Sequence, residues 1–202
     1  PSTSLQTLSP NGRAYYYNKS LYGVAFGNST FVAVGDVGKI LRSTDNGANW
    51  SHLTTGYASN YGNNYKASLN GINNLRGVSF GNNTFVAVGY SGKIITSTDD
   101  GSSWDNETAV NSNNLYGVTF GNSTFVAVGS NGTIVKSTNN GASWSSSSSG
   151  TSETLFGVTF GNNTFMAVGN SGTIVKSTDN GANWSSSSSG TTNNLYGVAF
   201  GD

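Results

Sequence analysis

Short apolar runs, each cut off by Gly and Asn, recur along this chain in a fixed order. Leu21-Tyr22-Gly23-Val24-Ala25-Phe26-Gly27-Asn28 returns with small changes from Leu75, Leu115, Leu155 and Leu195, at spacings of 54, 40, 40 and 40 residues. Each of the first four copies continues into an apolar run from Phe31, Phe85, Phe125 and Phe165. Within one unit, Leu115 to Phe120 alternates in polarity, as a half-covered strand does. Thr124 to Gly129 is β-branched and apolar on both faces, the pattern of a strand covered on both sides. Thr133 to Lys136 and the serine run Ser145 to Ser149 supply two more extended segments. Between them lie Gly-Asn-Ser-Thr, Ser-Asn-Gly and Asn-Asn-Gly, which supply the positive φ values that tight hairpins need. No segment carries a helical period.

Four short antiparallel strands in about 40 residues is the size of one β-propeller blade, a sheet that packs face to face on the next around a common axis. The sequence therefore predicts an all-β propeller in a single domain. Complete blades are expected at 21–74, 75–114, 115–154 and 155–194, and a partial one at 195–202. A glycine at the third position of each unit (Gly23, Gly77, Gly117, Gly157, Gly197) lets the first strand crowd the axis, so that strand is predicted to be innermost. The serine-rich fourth strand has no apolar face to bury and belongs at the rim.

Composition narrows what such a ring could do. The 202 residues are 35% apolar but only 9% charged, and Gly, Asn, Ser and Thr make up more than half of the chain. Nine basic residues balance nine acidic ones, so no net field draws nucleic acid or anionic lipid, and neither is expected as a partner. With no Cys and one His, thiolate zinc sites, thiol nucleophiles and histidine cages are excluded, and no cofactor is expected. No apolar run approaches the roughly 18 residues of a membrane-spanning helix, so no membrane insertion is expected. A chain that begins at Pro1 is expected to be a processed protein or an excised domain; a removed leader would suit secretion, and the expected location is outside the cell or on its surface.

Each complete unit also carries an eight-residue turn. Ser43-Thr44-Asp45-Asn46-Gly47-Ala48-Asn49-Trp50 returns at Ser97 to Trp104, Ser137 to Trp144 and Ser177 to Trp184, and it resembles the Asp-box, or BNR repeat, of β-propellers. The resemblance covers residues 21–202. It implies a propeller and a structural role for Asp45, Gly47 and Trp50, for Asp99, Gly101 and Trp104, for Gly141 and Trp144, and for Asp179, Gly181 and Trp184. Asn139 stands where the third copy should have Asp, and its turn is expected to be weaker. Physically, the carboxylate accepts backbone N–H groups of its own turn, Gly supplies the left-handed residue, and Trp covers the hairpin base. Asp-box families include sialidases, sortilin-type receptors, glycan-degrading propellers and photosystem-assembly-like factors, so the resemblance does not choose an activity.

A sialidase-like site needs three converging arginines, a Tyr nucleophile with a Glu partner, and an Asp acid. Arg13, Arg42 and Arg76 fall at different places in the repeat, and the two glutamates, Glu107 and Glu153, fall in connections of different blades. His52 lacks a nucleophile-elbow context. Lys39, Lys93, Lys136 and Lys176 read as one cation per blade on a solvated third strand. No catalytic, cofactor or metal residue is assigned, and the chain is expected not to be an enzyme.

Departures from the repeat are the better places to look for activity. One is an insertion of about 14 residues after Trp50 that holds Tyr57, Tyr61 and Tyr65 among Gly, Asn and Ser, a mixture suited to recognition of glycans or partner side chains. The other is the pair of ends. Leu195, Tyr196, Val198 and Phe200 form one strand of a fifth blade. Residues 1–20 read as strand, Pro-Asn-Gly turn, strand, with Leu5, Leu8, Tyr15, Tyr16 and Tyr17 as the pairing residues. That hairpin is expected to complete the fifth blade, within one chain or from a second copy. The expected function is an extracellular structural or adhesive propeller able to self-assemble head to tail by exchange of terminal strands. A lectin-like glycan binder is the alternative, and a glycoside hydrolase the less favoured one.

Overall fold

The computed structural model describes residues 20–53, 74–108 and 110–201, together with the backbone of Thr7–Leu8 and Ala14–Tyr15. These two short strands, β1 and β2, pair antiparallel with Thr7 opposite Tyr15. Four sheets follow, each of four antiparallel strands in sequence order. The first blade is β3 (Leu21–Gly27), β4 (Thr30–Gly35), β5 (Ile40–Ser43) and β6 (Ser51–His52). The second is β7 (Leu75–Gly81), β8 (Thr84–Gly89), β9 (Ile94–Ser97) and β10 (Asp105–Asn106). The third is β11 (Leu115–Gly121), β12 (Thr124–Gly129), β13 (Ile134–Ser137) and β14 (Ser145–Ser147). The fourth is β15 (Leu155–Gly161), β16 (Thr164–Gly169), β17 (Ile174–Ser177) and β18 (Ser185–Ser187). This is the predicted β-propeller architecture, with the first strand of each unit innermost and the fourth at the rim.

Local chemistry explains each element. The hairpin between the first two strands of a blade turns on two residues, Asn28–Ser29 in the first blade, and both have positive φ (47° and 58°). That is the two-residue turn whose twist matches the flanking strands, and Asn tolerates the left-handed region. Between the second and third strands the chain makes a one-turn 3-10 helix, such as Ser130–Gly132, whose middle residue is left-handed. The sequence reads there simply as a turn.

The core lies between sheets rather than inside one. Val32, Val34 and Ile40 of the first blade meet Leu75, Phe85, Ala87, Ile95 and Trp104 of the second. Val86, Val88 and Ile94 repeat this against Leu115, Phe125 and Val135, and Val126, Val128 and Ile134 repeat it again against Leu155, Phe165 and Val175. Every blade thus has two unlike apolar faces.

Glycine sets how closely the blades approach. A Cβ on Gly23 would lie 3.2 Å from the Val78 nitrogen and 3.3 Å from the Gly77 Cα, and Gly77 stands in the same way against Gly117. Four residues further along the strand, the Phe80 ring fills the space where Gly27 lacks a side chain, and Phe120, Phe160 and Phe200 do the same over Gly81, Gly121 and Gly161. Residues 195–201 therefore occupy the inner-strand place beyond the fourth blade, tied by the Leu195 N–H to the Gly169 carbonyl at 2.9 Å. They form no ladder: β1 and β2 pair with each other and not with this segment.

Gly121→Ala should destabilise the protein by about 1–3 kcal/mol, because the new methyl collides with the Phe160 ring between well-packed sheets. Chemical denaturation of the variant against wild type measures it, and an unchanged midpoint would contradict the glycine-limited spacing.

Candidate functional site

The recurrent polar groups gather in two places, the turn before each Trp and the inner end of each blade. In the turn, the Ser43 hydroxyl donates to Asp45 Oδ1 at 2.8 Å and accepts the Gly47 N–H at 3.0 Å. Asp45 also accepts the Asn49 N–H (2.9 Å) and the Asn49 side-chain amide (2.7 Å). The Trp50 Nε1 donates to the Gly47 carbonyl at 3.0 Å. Asp99 and Asp179 repeat this network. The chain bends on two left-handed residues, Asn46 (58°) and Gly47 (84°), so the residue before the glycine shares its role. Sequence reasoning missed this residue and the hydroxyl that bridges Asp and Gly. The signal for the hydroxyl was the invariance of Ser43, Ser97, Ser137 and Ser177 across the four copies.

Asn139 holds the same geometry. Its Oδ1 takes the Ser143 N–H at 3.0 Å and the Ser137 hydroxyl at 2.9 Å, while its amide donates to the Ser143 hydroxyl. What the third turn lacks is charge, and with it the extra strength of a bond to an ionised acceptor. In the Asp copies that strength shows in the acidities. Hydrogen bonds from the Asn49 backbone, then from the side chains of Asn49 and Ser43, hold the Asp45 carboxyl down to about 2. Asp179 is held well below the usual carboxylate range by the Asn183 backbone and side chain and by Ser177. At Asp99 burial pushes the carboxyl up, but hydrogen bonds from Ser103 and Ser97 outweigh it and the net shift is downward.

The turns also join blades. The Asn28 amide donates to Asp100 Oδ1 at 3.0 Å, Asn82 to Asn140 at 2.7 Å, and Asn122 to Asn180 at 2.6 Å. The Arg42 Nε donates to the Asp100 carbonyl at 2.6 Å. The four Trp rings are unequally covered, contrary to the uniform role expected. Trp104 is 7% exposed because the first blade packs on it, while Trp50, with no blade before it among the described residues, is 40% exposed.

At the inner end, the pairing of first and second strands slips between Leu115 and Gly117, leaving Tyr116 unpaired, and the same bulge frees Tyr22, Arg76 and Phe156. A bulge re-aims a side chain. These residues form one row. The Arg76 guanidinium lies 3.9 Å from the Tyr22 ring centre and 5.4 Å from that of Tyr90. Tyr90 meets Tyr116 edge-on at 6.1 Å, Tyr116 meets Phe156 at 5.6 Å, and Phe156 meets Tyr196 at 5.0 Å. Arg76 stands where the other copies carry an aromatic ring, and Tyr90, absent from the other copies, restores one beside it.

The remaining candidates do not converge. Lys39 and Lys93 follow the 3-10 turns, whereas Lys136 and Lys176 lie inside β13 and β17, so the four lysines read as one per blade on the third strand are two unlike pairs. Glu107 accepts the Thr96 hydroxyl at 2.7 Å, and Glu153 accepts the Gly132 N–H through its carbonyl. His52 ends the rim strand β6. Among the described residues no three His, Cys, Asp or Glu side chains cluster as a metal site would require. Tyr57, Tyr61, Tyr65, Leu5, Tyr16 and Tyr17 lie outside the described residues. Polar grooves open at the rims of the third and fourth blades, between the 3-10 turn and Ser147–Thr151 in one and Ser187–Thr191 in the other.

Trp104→Ala should cost about 3–5 kcal/mol and Trp50→Ala clearly less, a ranking that thermal or urea unfolding of the two variants checks. Acid should act through the turns. Asp45 is more acidic folded, at about 2, than its ordinary 3.8. Its contribution is therefore complete above the unfolded value and is lost as pH falls through the folded one. The melting temperature should hold steady above about pH 5 and drop between about pH 4 and 2. Replacing Asp45, Asp99 and Asp179 together by Asn, as the third copy already has, should flatten that drop.

No protein-family model matches the chain, and no curated protein sequence matches it. Solved structures do. A structure described as YCF48 bound to D1 peptide superposes with a TM-score of 0.60 at 20% identity, covering 91% of this chain and 56% of that one. The GH74 enzyme of Niastella koreensis gives 0.54 at 21% identity, over 86% of this chain and 27% of that one. A nidogen/laminin complex gives 0.67 at 12% identity, over 97% of this chain and 78% of that one. The chain thus spans little more than half the length of the YCF48 chain it resembles. At these identities the likeness concerns architecture alone, and the architecture is the β-propeller.

Proposed function

We propose that this protein is a non-enzymatic structural or adhesive module of the cell exterior, built from Asp-box blades, that self-assembles head to tail through its terminal segments. The observation that carries this reading is how the repeated polar groups are used. The carboxylates of Asp45, Asp99 and Asp179 are saturated by their own turns and held ionised. An acid catalyst needs the opposite, a carboxyl whose pKa is raised toward the working pH. Asp36 accepts the Ser20 N–H and Glu107 the Thr96 hydroxyl, in different blades. The surface that remains is neutral and rich in amides and hydroxyls, which favours many weak contacts over one reactive centre.

The row from Tyr22 to Tyr196 favours a second reading, a glycan-binding propeller, because half-exposed rings beside amides stack on sugar faces. The solved structures of this shape include both a GH74 enzyme and a YCF48 with a bound peptide, so shape supports neither reading over the other.

Incubation with sialosides and plant polysaccharides should release no sugar above a blank, and turnover would overturn the non-enzymatic reading. On a glycan array the first reading expects no retained ligand. Retention that is lost in a Tyr116→Ser, Phe156→Ser double variant would establish the second reading instead.

A further inference from the structure

Because each blade has two unlike faces, a stack of blades ends in two unlike surfaces. The first blade shows the face that every later blade buries. Leu21 is 45% exposed where Leu75 and Leu155 are 0%, and Val24 and Phe26 are 62% and 53% exposed. At the other end Gly197 and Gly201 hold the places of Gly23 and Gly27. A Cβ on either would meet nothing within 4 Å, whereas the earlier glycines of both series abut the next strand or its Phe ring.

Two lateral contacts stop one blade earlier, at the fourth blade, because residues 195–201 supply an inner strand and no Asp turn. Gly101, Gly141 and Gly181 pack on Val32, Val86 and Val126 of the blade before. The next residue in that series is Met166, the one non-Val among the four, and it is only partly buried. The amide series Asn28, Asn82, Asn122 ends at Asn162, which has no such partner among the described residues. A copy docked beyond 195–201 sits one place further on, so Gly47 and Asn46 of its first blade do not reach Met166 or Asn162, and the lateral contacts take no part in such a junction.

We propose that the inner-strand surfaces at Leu21–Phe26 and at Gly197–Gly201 are the two halves of one interface and that the occupant is a second copy of this chain. Phe26 of one copy seats over Gly201 of another, and Gly23 backs onto Gly197, as Phe80 seats over Gly27 and Gly77 backs onto Gly23. The argument is continuity: the same contacts already hold four junctions within the chain. This inference rests on the self-assembling reading above and names its partner and contacts. The interface is heterologous, so it propagates or closes a ring rather than stopping at a symmetric pair.

The test uses two single-end variants of the full chain. Gly201→Leu fills the socket and, with open space around it, should leave the melting temperature unchanged. Phe26→Ser removes the knob from an exposed site. Light scattering on a concentration series of wild type should show mass rising above that of one chain, and each variant alone should assemble at least about tenfold more weakly. Mixed, the two should form a one-to-one complex and stop there, since Gly201→Leu keeps a working front face and Phe26→Ser a working back face. Wild type that stays at single-chain mass at high concentration overturns the proposal. So does undiminished assembly in both variants, or a mixture that gives no complex. A monomeric wild type would leave the non-enzymatic reading standing on its own turnover and array tests.

Discussion

Sheets can stack around a common line only if the strands nearest that line surrender their side chains, and the rest of this structure follows from how the sequence meets that condition. Gly23, Gly77, Gly117 and Gly157 bring successive inner backbones to within van der Waals contact, 3.3 to 3.5 Å from a would-be Cβ to the next glycine Cα. The approach converts the inner strands into a spine. Outward from it, the same spacing leaves room for one layer of branched side chains between sheets, which is why Val, Ile, Leu and Phe predominate in the second and third strands while the fourth is polar, Ser-His, Asp-Asn or a serine run. The Phe-over-Gly contact is the other side of that bargain, since a ring replaces the missing side chain and restores the packing density that glycine gave up.

Polar chemistry in this fold is local for a related reason. A sheet packed on both faces has no place for an unpaired amide or hydroxyl, so polar residues are confined to the turns, where each must satisfy a backbone group. Ser43, Asp45 and Asn49 do so within seven residues, and among the described residues no buried side-chain nitrogen or oxygen lacks a partner. The cost of the two left-handed residues in each turn is offset by that network and by the Trp lid. Because the network is self-contained, replacing Asp by Asn in the third copy preserves its shape and removes only its charge.

Most of this was legible in the sequence because it repeats. One period of 40 residues fixed the strand order, the rim, the hairpins and the inner glycines, and each was confirmed by four independent copies within one chain. What the sequence could not display were contacts between blades, whose partners lie some 40 to 70 residues apart. The Phe80 ring over Gly27, the Asn28 amide on Asp100 and the Arg76 guanidinium over the Tyr22 ring belong to this class. The one-turn 3-10 helices were hidden for another reason: Val37, Ser91, Asn131 and Ser171 share a left-handed backbone but no residue type, so no composition marks them. The common placement of the four lysines on the third strand was misread because Lys39 and Lys136, close in the period, sit three positions apart on it, and Lys39 precedes the strand that holds the equivalent of Lys136.

Repetition also leaves a problem that a mixed core does not have. A protein whose elements are all different can bury every apolar face against a dedicated partner, whereas identical units each carry a knob and a socket, and a finite row always leaves one of each over. Repeat proteins usually blunt their ends with capping units whose outer faces are polar. Here the first blade keeps Leu21, Val24 and Phe26, whose counterparts in later blades are buried or partly buried, and the segment beyond the fourth keeps Gly197 and Gly201. The departures that do occur lie in the lateral contacts, Met for Val at 166 and Arg for Thr or Lys at 42, so the outer part of the interface varies from junction to junction while the inner spine is held constant. A spine maintained at Leu21–Phe26 and at Gly197–Gly201 is what continuation of the stack requires.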